Sequence, residues 1–414
     1  MPKSGPEVKT SKPLVTGSGG RRLALLIRRT AAAAAGGGTN PIQSQPHAAC
    51  SLHRHYSSGP LARSPDPDTA SYLVASCGLS PAAAAVAARW TLIRSTAKAD
   101  AVLALLRQHG FSDGHIARLI RIRPDLLIVD PDKIIRPKLE FFDSLGVGVG
   151  ALTQTNLLCR SLDDHLVPCV DFIRGIVGTD AGVRTAISHV PYALRFDLEK
   201  HMRPAVEALR CHGLSEEAIS KLVITDMGVL GLAPHRIAGI FEDLDALGLC
   251  MTDSGFVRCF SLMCRHKRET IWRRLVLYQS FGLSQSQVAK AFRSQPSILD
   301  LSDEAIQRKV LFFRDKLKIA PSQVIAWPKL LSSSMEKNIL PKCAVLNVLM
   351  SEGKIRGDIN LYTHLSTSSK DFFRRYVKKY EDIPDVVRAY EGKIKFKGFL
   401  DDDTEGSLAK ASVI

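Results

Sequence analysis

Acidic residues are almost missing from the first 56 positions, where Glu7 stands alone against eight Lys and Arg. No apolar run there is long enough to cross a bilayer. LALLI at 23–27 is followed at once by Arg28 and Arg29, whereas a spanning helix needs roughly 20 apolar residues. Cysteine lacks any metal or disulfide grammar. The nine cysteines include no CxxC pair, and Cys259 and Cys264 have no histidine pair at finger spacing. A zinc module and a disulfide scaffold are therefore excluded, which leaves reduced core thiols. The phosphate-cradling and hydrolytic motifs GxxxxGK[ST], HExxH and GxSxG are absent as well. GVGVG at 146–150 has the wrong spacing for a dinucleotide fingerprint and follows a helical pattern, not a strand. The twelve histidines are scattered. No enzyme, no cofactor and no metal is expected.

What the chain does have is a repeat. Residues 302–318, SDEAIQRKVLFFRDKLK, place Ile306, Val310, Phe313 and Leu317 on one helical stripe. Ser302 is a cap, and Asp303 and Glu304 sit in the first turn where the helix dipole favours them. The same three-point stripe recurs at Ile135, Leu139, Phe142; Leu166, Val170, Ile173; Met202, Val206, Leu209; Ile237, Phe241, Leu244; Ile271, Leu275, Tyr278; and Ile339, Cys343, Leu346. The first positions step by 31, 36, 35, 34, 35 and 33 residues. That period predicts an all-α solenoid, with a shortened unit from residue 68 making about eight repeats.

Each unit reads as a first helix, a break and a second helix that carries the stripe. The break is written PDLL at 124–127, PYAL at 191–194, PSIL at 296–299 and PKLL at 328–331. Proline stops the first helix, and the following pair of apolar residues pins the turn to the interior. A second proline stands thirteen residues on, at Pro137, Pro204 and Pro341. Unit two keeps the interval with Thr155 and Pro168. The expectation for that second proline is the first turn of the next helix, where a missing N–H costs nothing. Gly146, Gly178, Gly213, Gly248 and Gly282 are placed to end second helices as left-handed caps. The units around 225–235 and 258–266 have lost both prolines, so their breaks are less defined.

The outer segments complete the layout. Residues 1–56 read as an organelle transit peptide, with the low-complexity run AAAAAGGG at 31–38. RHYSS at 54–58 resembles a mitochondrial processing site, so a mitochondrion is the first address and a chloroplast the alternative. Residues 57–67 are a Pro/Ser linker, 68–392 the helical repeat domain, and 393–414 a C-terminal tail.

The Gly-Leu-Ser unit start, Pro-X-Leu-Leu and the proline thirteen residues later resemble the mitochondrial transcription termination factor (mTERF) family. FGLSQSQVAKAFRSQPSIL at 281–299 and WPKLLSSSMEKNILPKCAVLNVL at 327–349 carry the likeness, and SYLVASCGLSP and RRYVKKYEDIPDVVRAYEGKIKF look like its plant branch. The resemblance implies a right-handed α-solenoid bent into a half-ring with a basic concave face. It also implies binding of double-stranded DNA or structured RNA in organelle transcription termination or transcript processing. The competing class is a protein scaffold that works with organelle transcription, splicing or ribosome-assembly proteins. No membrane partner is implied, and a monomer is expected.

Of the net charge of +15, residues 258–316 hold twelve Lys and Arg against five Asp and Glu. With the first stripe residue as position a, a+3 lies about 60° from the apolar centre at roughly 100° per residue. Lys138, Arg274, Lys309 and Lys342 occupy a+3. With Arg265, Lys267 and Arg268 from the preceding loop they are the expected phosphate contacts. His266 in the same loop could donate to phosphate, though its default reading is an ordinary surface histidine outside the contact set. Among the aromatics, Tyr278 and Phe313 belong to the stripe, and Trp272 and Trp327 are read chiefly as core.

Overall fold

The structure is a computed structural model and describes residues 64–399, Asp358 excepted. The leader at 1–56, most of the linker and residues 400–414 of the tail lie outside the described residues. The described chain is helical throughout, with no strand. It divides into two compact units, one ending at Asp243 and the other beginning at Leu244.

Within each unit the stripes form the core. Of the stripe residues, Phe241 alone is not fully buried, and its ring stacks on His212 at 4.7 Å. Ser302 caps the helix Asp303–Lys316 through a bond from the Ala305 N–H, as its position predicts. The apolar pair after each break is also interior: Leu126 and Leu127, Leu157 and Leu158, Ala193 and Leu194, Ile298 and Leu299, Leu330 and Leu331.

The breaks have one backbone signature. Arg123, Val190, Gln295 and Trp327, each directly before a proline, leave the helical region with φ between −142° and −115° and ψ between 59° and 82°. The proline ring disfavours the α conformation in the residue before it. A tight turn follows, 3₁₀ at Pro124–Ile128, Pro191–Arg195 and Pro296–Leu299, and one α turn at Pro328–Ser332. In the first proline-less unit the break survives at Met227–Gly231, because the Asp226 carboxylate accepts the Gly228 N–H. In the second it does not. The helix Phe256–Arg265 runs unbroken to His266, where the chain becomes extended.

The second proline departs from expectation. Pro137, Pro168, Pro204 and Pro341 do not open their helices. Each helix begins a turn earlier, behind Asp130, Ser161, Asp197 or Ser334 as cap, and runs first through a π turn: Pro131–Ile135, Leu162–Leu166, Leu198–Met202, Met335–Ile339. Mid-helix proline has no N–H for the carbonyl four residues back and its ring collides with that carbonyl. One widened turn ahead of it, closed by bonds such as Arg136 N–H to Pro131 O, relieves the collision. Helices without that proline, Arg268–Gln279 and Asp303–Lys316, have no such turn. A further π turn at Phe373–Val377 has no proline behind it, and nothing in its sequence accounts for it.

The five expected glycine caps all have positive φ, from 67° to 83°. The unit that lacks a glycine uses Lys318 instead, at φ 55°, with the Ile319 N–H closing on Phe313 O at 2.9 Å.

Candidate nucleic-acid interface

The four a+3 cations do not line an exposed edge. Lys138, Arg274, Lys309 and Lys342 are all buried, Lys342 to 1% exposure. Lys138 Nζ donates to Leu158 O at 2.8 Å, and Arg274 Nη1 to Leu299 O at 2.5 Å. Lys309 Nζ donates to Leu331 O and Ser333 O at 2.5 and 2.7 Å. Lys342 Nζ donates to Leu365 O and Thr367 O at 3.0 and 2.6 Å, and lies over the Phe372 ring. Every acceptor sits in the break of the following repeat. A tight turn leaves those carbonyls without a helical donor, and a buried carbonyl without one is costly. To touch phosphate, each side chain would have to abandon its carbonyls and leave the interior. The expectation of a basic line at a+3 is corrected accordingly: these four are clasps between repeats.

The remaining repeats support this assignment. Cys169 holds the a+3 place in its unit and points its thiol at Phe196 O, while His165 Nε2 lies 2.8 Å from Leu194 O. Ala205 and Ile240 fill the same place with buried apolar groups. Tyr278, on the stripe, donates its hydroxyl to Ile298 O beside the Arg274 clasp. Burial lowers the Lys138 and Lys309 pKa values and brings Lys342 down to about 8. Burial likewise pushes the Cys259 thiol up to about 12.

The three residues expected in the preceding loop lie differently: Arg265 ends the helix Phe256–Arg265, Arg268 opens the helix Arg268–Gln279, and only His266 and Lys267 stand between them. Arg265 and Lys267 are exposed and Arg268 is half-buried. Arg265 is 3.4 Å from Asp300, and His266 Nε2 is 2.7 Å from the same carboxylate. His266 thus faces an aspartate, and that hydrogen bond, with Arg265 nearby, holds the Asp300 pKa below the ordinary range. Part of the basic cluster at 258–316 is neutralised one repeat ahead. Arg273 meets Asp303 at 2.8 Å and Arg308 meets Glu336 at 3.3 Å. Lys267, which precedes the helix Arg268–Gln279, makes no ion pair among the described residues. Trp272 is buried, while Trp327 is half-buried and stacks on Tyr362 at 4.9 Å. Among the described residues no helix is long and apolar enough to cross a membrane.

Comparison with known proteins agrees with the repeat pattern. The family model described as mTERF matches residues 103–252 and 150–373. The chain is 21% identical over 286 residues to the mitochondrial transcription termination factor MTERF15 of Arabidopsis thaliana, covering 67% of this chain and 55% of that protein. It is 21% identical over 228 residues to the chloroplastic transcription termination factor MTERF8 of Arabidopsis thaliana, covering 53% of this chain and 45% of that one. The chain thus spans about half the length of the curated relatives it matches.

Proposed function

The chain belongs to the mTERF family, and from that premise we propose that it is an organelle gene-expression factor that holds a nucleic acid through its phosphate backbone. The observation that carries this reading is the family match running through the repeats, from residue 103 to residue 373. The relatives it resembles are named as transcription termination factors, one mitochondrial and one chloroplastic. An organelle address fits both, and the acid-poor leader with its RHYSS site favours the mitochondrion. The chemistry is electrostatic binding without catalysis. Arg265, Lys267 and Arg268 are the members of the predicted contact set that stand at or near the surface.

Binding of duplex DNA and of structured RNA, measured between about 50 and 200 mM salt, tests the reading. Each phosphate contact contributes about −0.9 to the log–log slope on duplex DNA. Loss of affinity along such a slope supports the proposal. Absent or salt-independent binding to both ligands rejects it. Co-purification of organelle proteins that survives nuclease treatment would then favour the scaffold class.

A further inference from the structure

We propose that Arg160 and Arg195 form a phosphodiester-binding notch on the edge made by successive break turns. The inference rests on the proposed function and adds a site to it.

The turns Leu157–Cys159, Pro191–Arg195 and Met227–Gly231 stand in series, each against the next, within the unit ending at Asp243. Arg160 follows the first of them directly. Its Nη2 donates to the carbonyl of Arg195 at 3.2 Å, which sets the two arginines side by side across adjacent repeats. Both are half-buried. The Nε of each is buried and meets no hydrogen-bond acceptor, and among the described residues the Arg195 guanidinium has no acceptor at all. Neither holds a carboxylate among the described residues. Arg123, Arg136 and Arg174, half-buried in the same unit, each close on an aspartate, at 2.5, 2.7 and 2.9 Å.

The acid nearest in sequence is already engaged. Asp197 accepts the N–H groups of Glu199 and Lys200 at 3.0 and 2.8 Å as the cap of the next helix. Partly withdrawing two guanidinium groups from water without a counter-charge is unfavourable, and an anion arriving at the pair would offset that cost. Their donors form planar forks that match a phosphate's oxygens. The backbone beneath them is held firmly. The Phe196 ring lies over Gly231, where a Cβ would come within 2.2 Å of it, and Tyr192 meets Phe196 edge-on at 6.3 Å. A site built on a fixed turn loses little freedom when it binds. Exposed Lys200 and His201 continue the basic edge.

The full chain carrying Arg195→Gln tests the notch, because among the described residues that guanidinium meets no acceptor. The probes are a labelled DNA duplex and a labelled structured RNA, each titrated across salt. The expected result is an unchanged thermal midpoint with the log–log slope shallower by about one. Arg160→Gln with Arg195→Gln should lower it by about two. Arg195→Lys should keep the slope while weakening binding, since it keeps the charge and loses the fork. The probe whose slope changes identifies the nucleic acid bound. Wild-type binding with an unchanged slope in Arg195→Gln overturns the notch and leaves the proposed function standing. A clear fall in the thermal midpoint of Arg195→Gln also overturns it, because the arginine would then be structural. Wild-type protein that binds neither probe removes the proposed function and the notch together.

Discussion

Lys309 reaches out of its own repeat and binds the carbonyl of Leu331 in the next one, at 2.5 Å. A lysine that reads as a surface cation is thus an internal fastener. Its role follows from what the break costs: a chain turned by proline exposes carbonyls toward the core, and something must donate to them.

Removing such a fastener should destabilise the protein without touching ligand affinity. Lys342→Met leaves the carbonyls of Leu365 and Thr367 without their donor. Each buried acceptor left bare costs about 1–3 kcal/mol. The urea midpoint of the variant should fall accordingly, with Lys309→Met behaving alike. Reversing charge at Arg274, Lys309 and Lys342 together should prevent folding. A triple variant that melts like wild type would refute the clasp assignment.

Lys342 also predicts a pH dependence. Burial lowers its pKa from the ordinary lysine value of 10.5 to about 8 in the folded chain. Between those values the unfolded chain binds more protons at this site than the folded one, so the site's contribution to stability rises with pH across the window. Below about pH 8 both forms carry the proton, and the penalty for burying charge is constant. The difference in urea midpoint between wild type and Lys342→Met should therefore widen in favour of wild type from about pH 8 toward 10.5. Parallel profiles would refute this.

Lys318 is a non-glycine residue with φ at 55° where five other units have glycine. Lys318→Gly should stabilise the chain by about 1 kcal/mol, because the left-handed region costs a side-chain-bearing residue that much. Gly178→Ala should do the opposite by a similar amount. No atom lies within 4 Å of the added Cβ there, so the effect is purely one of backbone conformation. Thermal midpoints would read both, and a shift of the same sign in the two variants would contradict the cap argument.

Gly231→Ala drives a methyl into the Phe196 ring, at 2.2 Å from its nearest carbons. Overpacking of this kind costs about 1–3 kcal/mol. A lower thermal midpoint should appear together with weaker packing of the Pro191–Arg195 turn, read as faster amide exchange at Phe196, whose N–H bonds Ala193 O.

The sequence made the repeats legible because stripe, break and cap each repeat at a nearly fixed interval. The π turns were not legible. Pro137, Pro168, Pro204 and Pro341 look the same whether they open a helix or interrupt one, and only the caps at Asp130, Ser161, Asp197 and Ser334 reveal an earlier start. The a+3 cations misled for a physical reason. In a stacked array a second helix is covered on both flanks, so a side chain about 60° from the stripe centre is still inside. The signal was present in the other units, where Cys169, Ala205 and Ile240 hold the same place. A position that accepts cysteine, alanine and isoleucine is interior. Arg160 and Arg195 carried no such signal, since they lie at different offsets from the break and meet only in three dimensions.

The clasp grips main chain rather than a complementary side chain. A peptide carbonyl is chemically the same whichever amino acid bears it, so the join between modules does not depend on what the acceptor residue is. Duplicating, deleting or exchanging a module therefore requires no matched pair of substitutions at the seam. The array's length and outward-facing residues are free to diverge while its fastening stays the same.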